Sequence, residues 1–229
     1  MMQSRAPWSF GWKGALVTMQ AGMAALLSAP AEAHPHVWVS VATTVLYENG
    51  KIAGFRHNWT FDDMYTAMAI QGLDKNGDGT YAREELAELA QVNIDGLKEF
   101  EYFTFARIKE APVKLAPPKD YWLDHKDGVL TLNFTLPLAE PVPAETEGVA
   151  FSVYDQTFFI AFDLAKENPV RLSDGAPAGC AAKVGEAEKD LADLQRLNDA
   201  FGGQLTAGNA NQGSGLGYAS TIHLTCAKT

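Results

Sequence analysis

Two turn sequences, each placed between strand-like runs, constrain the fold of this chain more than any other feature. The turns are Asn49-Gly50 and Asp127-Gly128, and the runs around them are rich in β-branched and aromatic residues. Such dipeptides are preferred at the centre of two-residue β-hairpins. Strands joined by turns this short pair antiparallel, so the sequence predicts an antiparallel β-domain. The four runs are residues 37–47, 51–61, 121–125 and 129–136.

Segments with helical spacing accompany these strands. A short helix is predicted over residues 64–73, a second ends at Leu97, and an amphipathic third spans residues 187–201. The fold class expected is therefore α+β. It consists of an antiparallel β-domain, a helix–loop–helix inserted at about residues 62–99, and a C-terminal amphipathic helix. Further strands are expected over residues 103–108, 149–154, 157–164 and 220–226.

The first 33 residues have the layout of a secretory signal peptide. Arg5 and Lys13 precede an uncharged, mostly apolar stretch, and Ala31-Glu32-Ala33 is a small-x-small cleavage site. The apolar stretch is shorter than the roughly 20 residues that a membrane-spanning helix needs. We therefore expect a single secreted domain over residues 34–229 that is not membrane-spanning in its mature form.

Composition narrows the classes of function. The chain of 229 residues carries 28 acidic and 18 Lys or Arg residues, a formal net charge of −10. A nucleic-acid-binding protein would normally show a basic surface, so that class is disfavoured. An acidic surface attracts cations instead.

The segment from Asp74 to Glu85 matches the twelve-residue calcium loop of EF-hands. Oxygen ligands recur at alternate positions, Gly79 permits the central turn, and the closing Glu85 supplies both carboxylate oxygens. A solvated acidic turn that binds nothing is the alternative. Because the chain holds one such loop rather than a pair, we interpret it as a structural Ca²⁺ site. The expected ligands are Asp74, Asn76, Asp78, Thr80 through its backbone carbonyl, and Glu85.

Two cysteines, Cys180 and Cys226, remain after cleavage at residue 33. In an oxidising compartment an even number of cysteines favours a disulfide, here one that ties the last strand to the fold. A thiolate metal site is the alternative, although the two residues lack the close spacing usual in zinc sites.

Cleavage would leave His34 and His36 beside a free α-amine, a nitrogen-rich cluster suited to Cu²⁺, Ni²⁺, Zn²⁺ or Co²⁺. Two solvent-exposed histidines on a frayed end are the alternative. A two-residue turn at Asn49-Gly50 would place Asp63 opposite His36, as a third ligand. The same register pairs His57 with Ala42, too far away to share the ion, and predicts a surface or half-buried side chain. His125 and His223 are isolated and are interpreted as structural.

Several stretches together resemble the bacterial family called domain of unknown function 1007, over nearly all of the mature chain. Many relatives carry Pro where this chain has Gln156, which affects only a local turn. Family members are described as periplasmic components of uncharacterised transport systems, often encoded beside or fused to nickel/cobalt-type exporters. The resemblance therefore implies an accessory protein whose partner is an inner-membrane metal exporter. The residues that carry the resemblance are 34–39, 59–62, 74–85, 103–105, 154–163 and 176–180.

Three classes of function follow, and the first is preferred. It is a binding protein for a transition metal, carrying one Ca²⁺ site; the second is a calcium-stabilised interaction module that docks on a membrane transporter. A secreted hydrolase is third, because the chain lacks a Gly-x-Ser-x-Gly elbow and a His-Glu-x-x-His helix. Asp155 and Asp163 could serve as acid and base, but a structural role is favoured, and we expect no enzyme.

Overall fold

The computed structural model describes residues 36–157, 159–185 and 220–227. These residues form strands and two α-helices, and a 3₁₀ helix (Lys98–Phe103) follows the second. The helices are α1 (Asp63–Ala69) and α2 (Arg83–Leu97). The strands are β1 (Val37–Glu48), β2 (Lys51–Phe61), β3 (Thr104–Ile108), β4 (Ala111–Val113), β5 (Lys119–Lys126), β6 (Val129–Pro143), β7 (Val149–Val153), β8 (Ile160–Leu164), β9 (Val170–Leu172), β10 (Ala181–Val184) and β11 (Ile222–Thr225).

The strands form two sheets that pack face to face. The first has the order β5-β6-β2-β1-β8, with β9 also paired to β1, and the second has the order β10-β11-β7-β3-β4. Aromatic side chains fill the space between them: the rings of Phe55 and Phe151 are 4.4 Å apart. Helix α2 lies beside β5, and its buried residues Leu86, Ala90 and Ile94 join the same core.

A β-bulge shifts the register of the first hairpin. Tyr47 pairs with Ile52 near the turn, but Leu46 pairs with Gly54, so Ala53 is left without a partner on β1. One extra residue moves the following side chains to the opposite face of the sheet. Beyond the bulge the odd-numbered residues of β2 therefore point into the core: Phe55, His57, Trp59 and Phe61 are all buried.

The predicted fold class is wrong in three respects. The protein is mainly β, and its first sheet is mixed, because β8 and β9 both run parallel to β1. The inserted helix–loop–helix is also not formed as expected. Helix α1 ends at Ala69, Gly72 adopts a left-handed conformation with φ 76°, and the entering helix therefore stops before Asp74. The predicted C-terminal helix, residues 187–201, lies outside the described residues, as does the predicted signal peptide.

The predicted disulfide is confirmed: Cys180 and Cys226 are bonded across 46 residues of sequence. The disulfide joins the residue before β10 to the residue after β11, at one end of the antiparallel pairing between these two strands. Among the residues that the structure describes, no helix is long and apolar enough to cross a membrane.

Candidate metal centre

The first half of the acidic loop is organised around the Asp74 carboxylate. Its Oδ1 accepts hydrogen bonds from the backbone N–H groups of Gly77 and Asp78, at 2.8 and 3.1 Å. Its Oδ2 accepts one from Gly79 at 3.0 Å. The chain turns back at Gly77 and Gly79, where φ is 74° and 77°, values that glycine adopts at little cost. Asp74 thus wraps the loop around its own carboxylate.

Glu85 closes the loop from the other side. Its Oε1 accepts the backbone N–H of Lys75 at 3.0 Å, and its Oε2 accepts that of Ala82 at 3.0 Å. The second bond is the reciprocal half of a capping box, because Ala82 is the N-cap of α2 and Glu85 is its third helical residue. The first and last residues of the predicted calcium loop are therefore held beside each other.

Asp78 occupies the middle of the loop. Its Oδ1 accepts bonds from the Thr80 hydroxyl at 2.7 Å and the Thr80 N–H at 2.8 Å, and its Oδ2 accepts the Asn76 amide at 3.0 Å. The Thr80 bonds, followed by that from Asn76, stabilise the carboxylate and lower its pKa, although desolvation opposes them. Asp78 is exposed, so this lowered pKa favours a charged oxygen that solvent ions can reach.

The loop is connected to the first sheet by Arg83, a contact that the sequence did not reveal. The Arg83 Nε donates to Asp124 Oδ1 on β5 at 2.8 Å, and the guanidinium lies 4.8 Å from the Trp122 ring centroid. Asp124 Oδ2 accepts bonds from Trp122 Nε1 at 2.7 Å and from Asn133 Nδ2 at 3.1 Å. No local pattern signals such a contact, because Arg83 and Asp124 are 41 residues apart in sequence.

The structure does not gather these side chains into a preformed metal cage. Among the described residues, no group of three or more His, Cys, Asp or Glu side chains could hold an ion. In the loop the carboxylate oxygens face backbone N–H groups, so an ion must replace some of those hydrogen bonds. The loop thus presents several oxygen donors within one closed turn, but not the coordination shell of a metal ion.

The predicted transition-metal ligands are partly described. His34 lies outside the described residues, whereas His36 is exposed and its ring lies 4.9 Å from that of Phe159. Asp63 is exposed at the start of α1, and the shifted register places Asp62 rather than Asp63 next to β1. The Trp38 N–H donates to Asp62 Oδ2 at 2.8 Å, and the Trp38 carbonyl accepts the N–H of Asp62 at 3.0 Å.

Two residues singled out in the sequence prove to be buried. His57 was expected at the surface or half-buried, but the bulge at Ala53 turns it into the core, where it is fully buried. Asp155 is 4% exposed, and both its oxygens accept hydrogen bonds, from Thr157, Phe159 and Ile160. Asp163 is exposed on β8. The bonding of Asp155 supports the structural role expected for it.

The fold and the site together define the class of protein. It is a mainly β protein of two packed sheets, with an acidic loop at the start of its longer helix. Within that class, the chain belongs to the family described as protein of unknown function DUF1007, whose profile matches residues 19–226. No solved structure matches the chain.

Two curated relatives extend the comparison. A protein of Haemophilus influenzae, described as an uncharacterized protein, is 26% identical over 197 residues, which cover 85% of this chain and 91% of the relative. A protein of Spirochaeta aurantia, described as an uncharacterized 15.5 kDa protein in the trpE 3′ region, is 32% identical over 117 residues. That match covers 50% of this chain and 83% of the relative.

Proposed function

We propose that the protein is a calcium-binding periplasmic protein that serves as the metal-binding accessory of a divalent transition-metal transport system. One observation carries the calcium part: Glu85 bonds the backbone at both Lys75 and Ala82, and so holds its carboxylate next to Asp74. An EF-hand loop holds its ion between ligands from both of its ends, so this closure supports a shared ion.

The chemistry of the loop fits Ca²⁺. Asp74, Asn76, Asp78 and Glu85 supply side-chain oxygens, and Thr80 supplies a carbonyl, all hard donors of the type that Ca²⁺ prefers. The side chains of the loop are accessible to solvent, so an ion can reach them without opening the core. With only three carboxylates, we expect a dissociation constant of about 10⁻⁴–10⁻³ M, as in extracytoplasmic modules.

The ion has a structural role in this proposal. Glu85 is the third residue of α2, whose Leu86, Ala90 and Ile94 pack in the core. Holding Glu85 in place fixes the start of that helix and with it Arg83, which contacts β5. Calcium would thereby stabilise the attachment of α2 to the first sheet.

Thermal unfolding and calorimetric titration test the calcium part. Wild-type protein at 100 times its Kd in Ca²⁺ should gain about 2.7 kcal/mol in unfolding free energy relative to protein in chelator. Glu85→Gln should bind at least tenfold more weakly. Glu84→Gln, a neighbouring exposed carboxylate outside the expected ligand set, is the matched control and should keep wild-type affinity. Equal weakening in both variants, or no response in the wild type, would contradict the proposal.

The transition-metal part rests on the N-terminal end of the mature chain. His36 and Asp63 are both exposed, and the Trp38–Asp62 hydrogen bonds hold their segments together. Pro35 has no N–H, so the ion must be held by the α-amine, the imidazoles of His34 and His36, and a carboxylate such as Asp63. Protein that begins at His34 should bind Cu²⁺ or Zn²⁺ at least tenfold more tightly than protein with an added N-terminal Gly.

That titration also separates the alternatives. If no Ni²⁺, Zn²⁺ or Cu²⁺ binding is tighter than about micromolar, a calcium-stabilised interaction module that docks on a membrane transporter explains the chain better. N-terminal sequencing of protein released from the periplasm tests localisation, and the expected first residue is His34. Protein that is found in the cytoplasm with residues 1–33 still attached would exclude the periplasmic assignment.

A further inference from the structure

The distribution of methionine in this chain is unusual. Of six methionines, four lie within residues 1–23, and the other two are Met64 and Met68. Methionine is among the residues most often buried. Here the core of the described residues contains none, and Met64 and Met68 are 66% and 64% exposed. Two thioethers are therefore placed in solvent while the core is built from other side chains.

Helix α1 determines the face from which both methionine side chains project. Its opposite face is anchored: the Thr66 hydroxyl accepts the N–H of Leu130 at 3.0 Å, and the Tyr65 ring stacks on Phe61 at 4.4 Å. The helix cannot rotate without breaking these contacts. Met64 and Met68 are four residues apart, so their Cβ atoms lie about 5–6 Å from each other on one face. Flexible side chains at this spacing can bring two sulfur atoms onto one ion.

An exposed tryptophan, Trp38, is hydrogen-bonded through its backbone to the N-cap residue of the same helix. Asp62 caps α1 by accepting the N–H of Tyr65 at 2.7 Å, and it accepts the N–H of Trp38 at 2.8 Å. Trp38 is 41% exposed, and Met64 follows Asp62 by two residues. An indole face attracts cations, most strongly among the aromatic side chains. The exposed Asp63 carboxylate adds negative charge at the same place.

We propose that Met64 and Met68 bind Cu⁺ beside Trp38. Thioether sulfur is a soft ligand that selects Cu⁺, whereas Ca²⁺ takes oxygen ligands. This site goes beyond the proposed function: it shares no residue with the calcium loop, and its metal is monovalent rather than divalent. The ion keeps its oxidation state on binding, so the step needs no electron donor.

The test titrates the chain that begins at His34, in which Met64 and Met68 are the two methionines, with Ag⁺, a redox-inert probe of thioether sites, and with Cu⁺ kept reduced by ascorbate. The wild type should bind with a dissociation constant below about 100 μM, and the double variant Met64→Leu/Met68→Leu should lose at least tenfold in affinity. Leucine is similar in volume and favours helices, so α1 should persist, which far-UV circular dichroism checks. Val92→Leu, an exposed apolar substitution on α2, is the matched control and should keep wild-type affinity.

Two further readouts make the result specific. Ag⁺ should quench tryptophan fluorescence in the wild type, and Trp38→Phe should remove most of that quenching. The double methionine variant should retain its calcium response, which separates failure of this site from failure of the calcium loop. Wild-type binding weaker than 100 μM, undiminished affinity in the double variant, or unchanged quenching in Trp38→Phe would overturn the proposal.

Discussion

Thr43 lies opposite His57 in the first hairpin, and its hydroxyl oxygen is 2.9 Å from His57 Nδ1. The other ring nitrogen, Nε2, is 3.3 Å from the Thr104 hydroxyl of the second sheet. The imidazole therefore links the two sheets through two buried hydroxyl groups. Burial favours the neutral ring and lowers the pKa of His57 to about 3.

The neutral His57 predicts a pH dependence of stability. Its pKa is about 3 in the folded protein against an ordinary value of 6.5, so the unfolded chain takes up the proton first as the pH falls. The contribution of neutral His57 to stability is complete above pH 6.5. Between pH 6.5 and 3, the free energy of unfolding should fall by up to about 1.4 kcal/mol per pH unit from this group.

His57→Gln isolates that contribution, because an amide offers a donor and an acceptor but does not titrate. Chemical denaturation at several pH values should give a shallower pH slope for His57→Gln below pH 6.5. Above pH 7 the free energies of unfolding of the wild type and His57→Gln should change with pH in the same way, which is the internal control. Parallel behaviour over the whole range would contradict a neutral, buried His57.

Gly54 lies too close to the backbone of β6 to carry a side chain. A Cβ there would lie 2.6 Å from the Leu136 carbonyl oxygen and 2.7 Å from the Pro137 Cα on β6. Since both are backbone atoms, Gly54→Ala must displace a strand, and we expect it to lower the free energy of unfolding by about 1–3 kcal/mol. Gly96→Ala is the matched control, because its Cβ would meet nothing and helix α2 should gain about 0.5–1 kcal/mol. Urea denaturation of both variants checks the opposite signs.

Asp155 organises the connection between β7 and β8. Its carboxylate accepts the N–H groups of Phe159 and Ile160 and both the N–H and the hydroxyl of Thr157. Asp155→Ala removes four hydrogen bonds to a buried carboxylate, and we expect a loss of about 2–4 kcal/mol in unfolding free energy. Asp163→Ala, on an exposed carboxylate of β8, should change it by less than about 0.5 kcal/mol. Equal losses in thermal or urea unfolding would show that the Asp155 bonds are not decisive.

Trp122 should report calcium binding. Arg83 stacks on its ring and lies two residues before Glu85, so an ion that draws in Glu85 must change the contact between guanidinium and indole. We expect Ca²⁺ to change tryptophan emission in the wild type, and Trp122→Phe to remove that change without altering calcium affinity by more than threefold. Arg83→Lys tests the coupling, since an ammonium cannot stack as a guanidinium does. If Ca²⁺ still changes tryptophan emission in Trp122→Phe, another tryptophan is responsible and the prediction is contradicted.

The sequence by itself determined the features that depend on short stretches of chain. Asn49-Gly50 and Asp127-Gly128 form hairpin turns as predicted, because a two-residue turn is encoded by its own backbone preferences. Helix α2 follows its apolar periodicity to Leu97. Cys180 and Cys226 are bonded, and a chain with two cysteines offers a single intramolecular pairing.

Only the tertiary structure decided the register, the mixed sheet and the position of His57. The bulge at Ala53 lies where β6 also breaks its pairing with β2, between Pro137 and Val142, so it depends on residues far along the chain. That one extra residue reverses which side of β2 faces the core, because side chains alternate along a strand. The parallel pairing of β8 with β1 likewise joins segments about 120 residues apart. Local propensity carries no information about such pairings, since their energy comes from packing between distant strands.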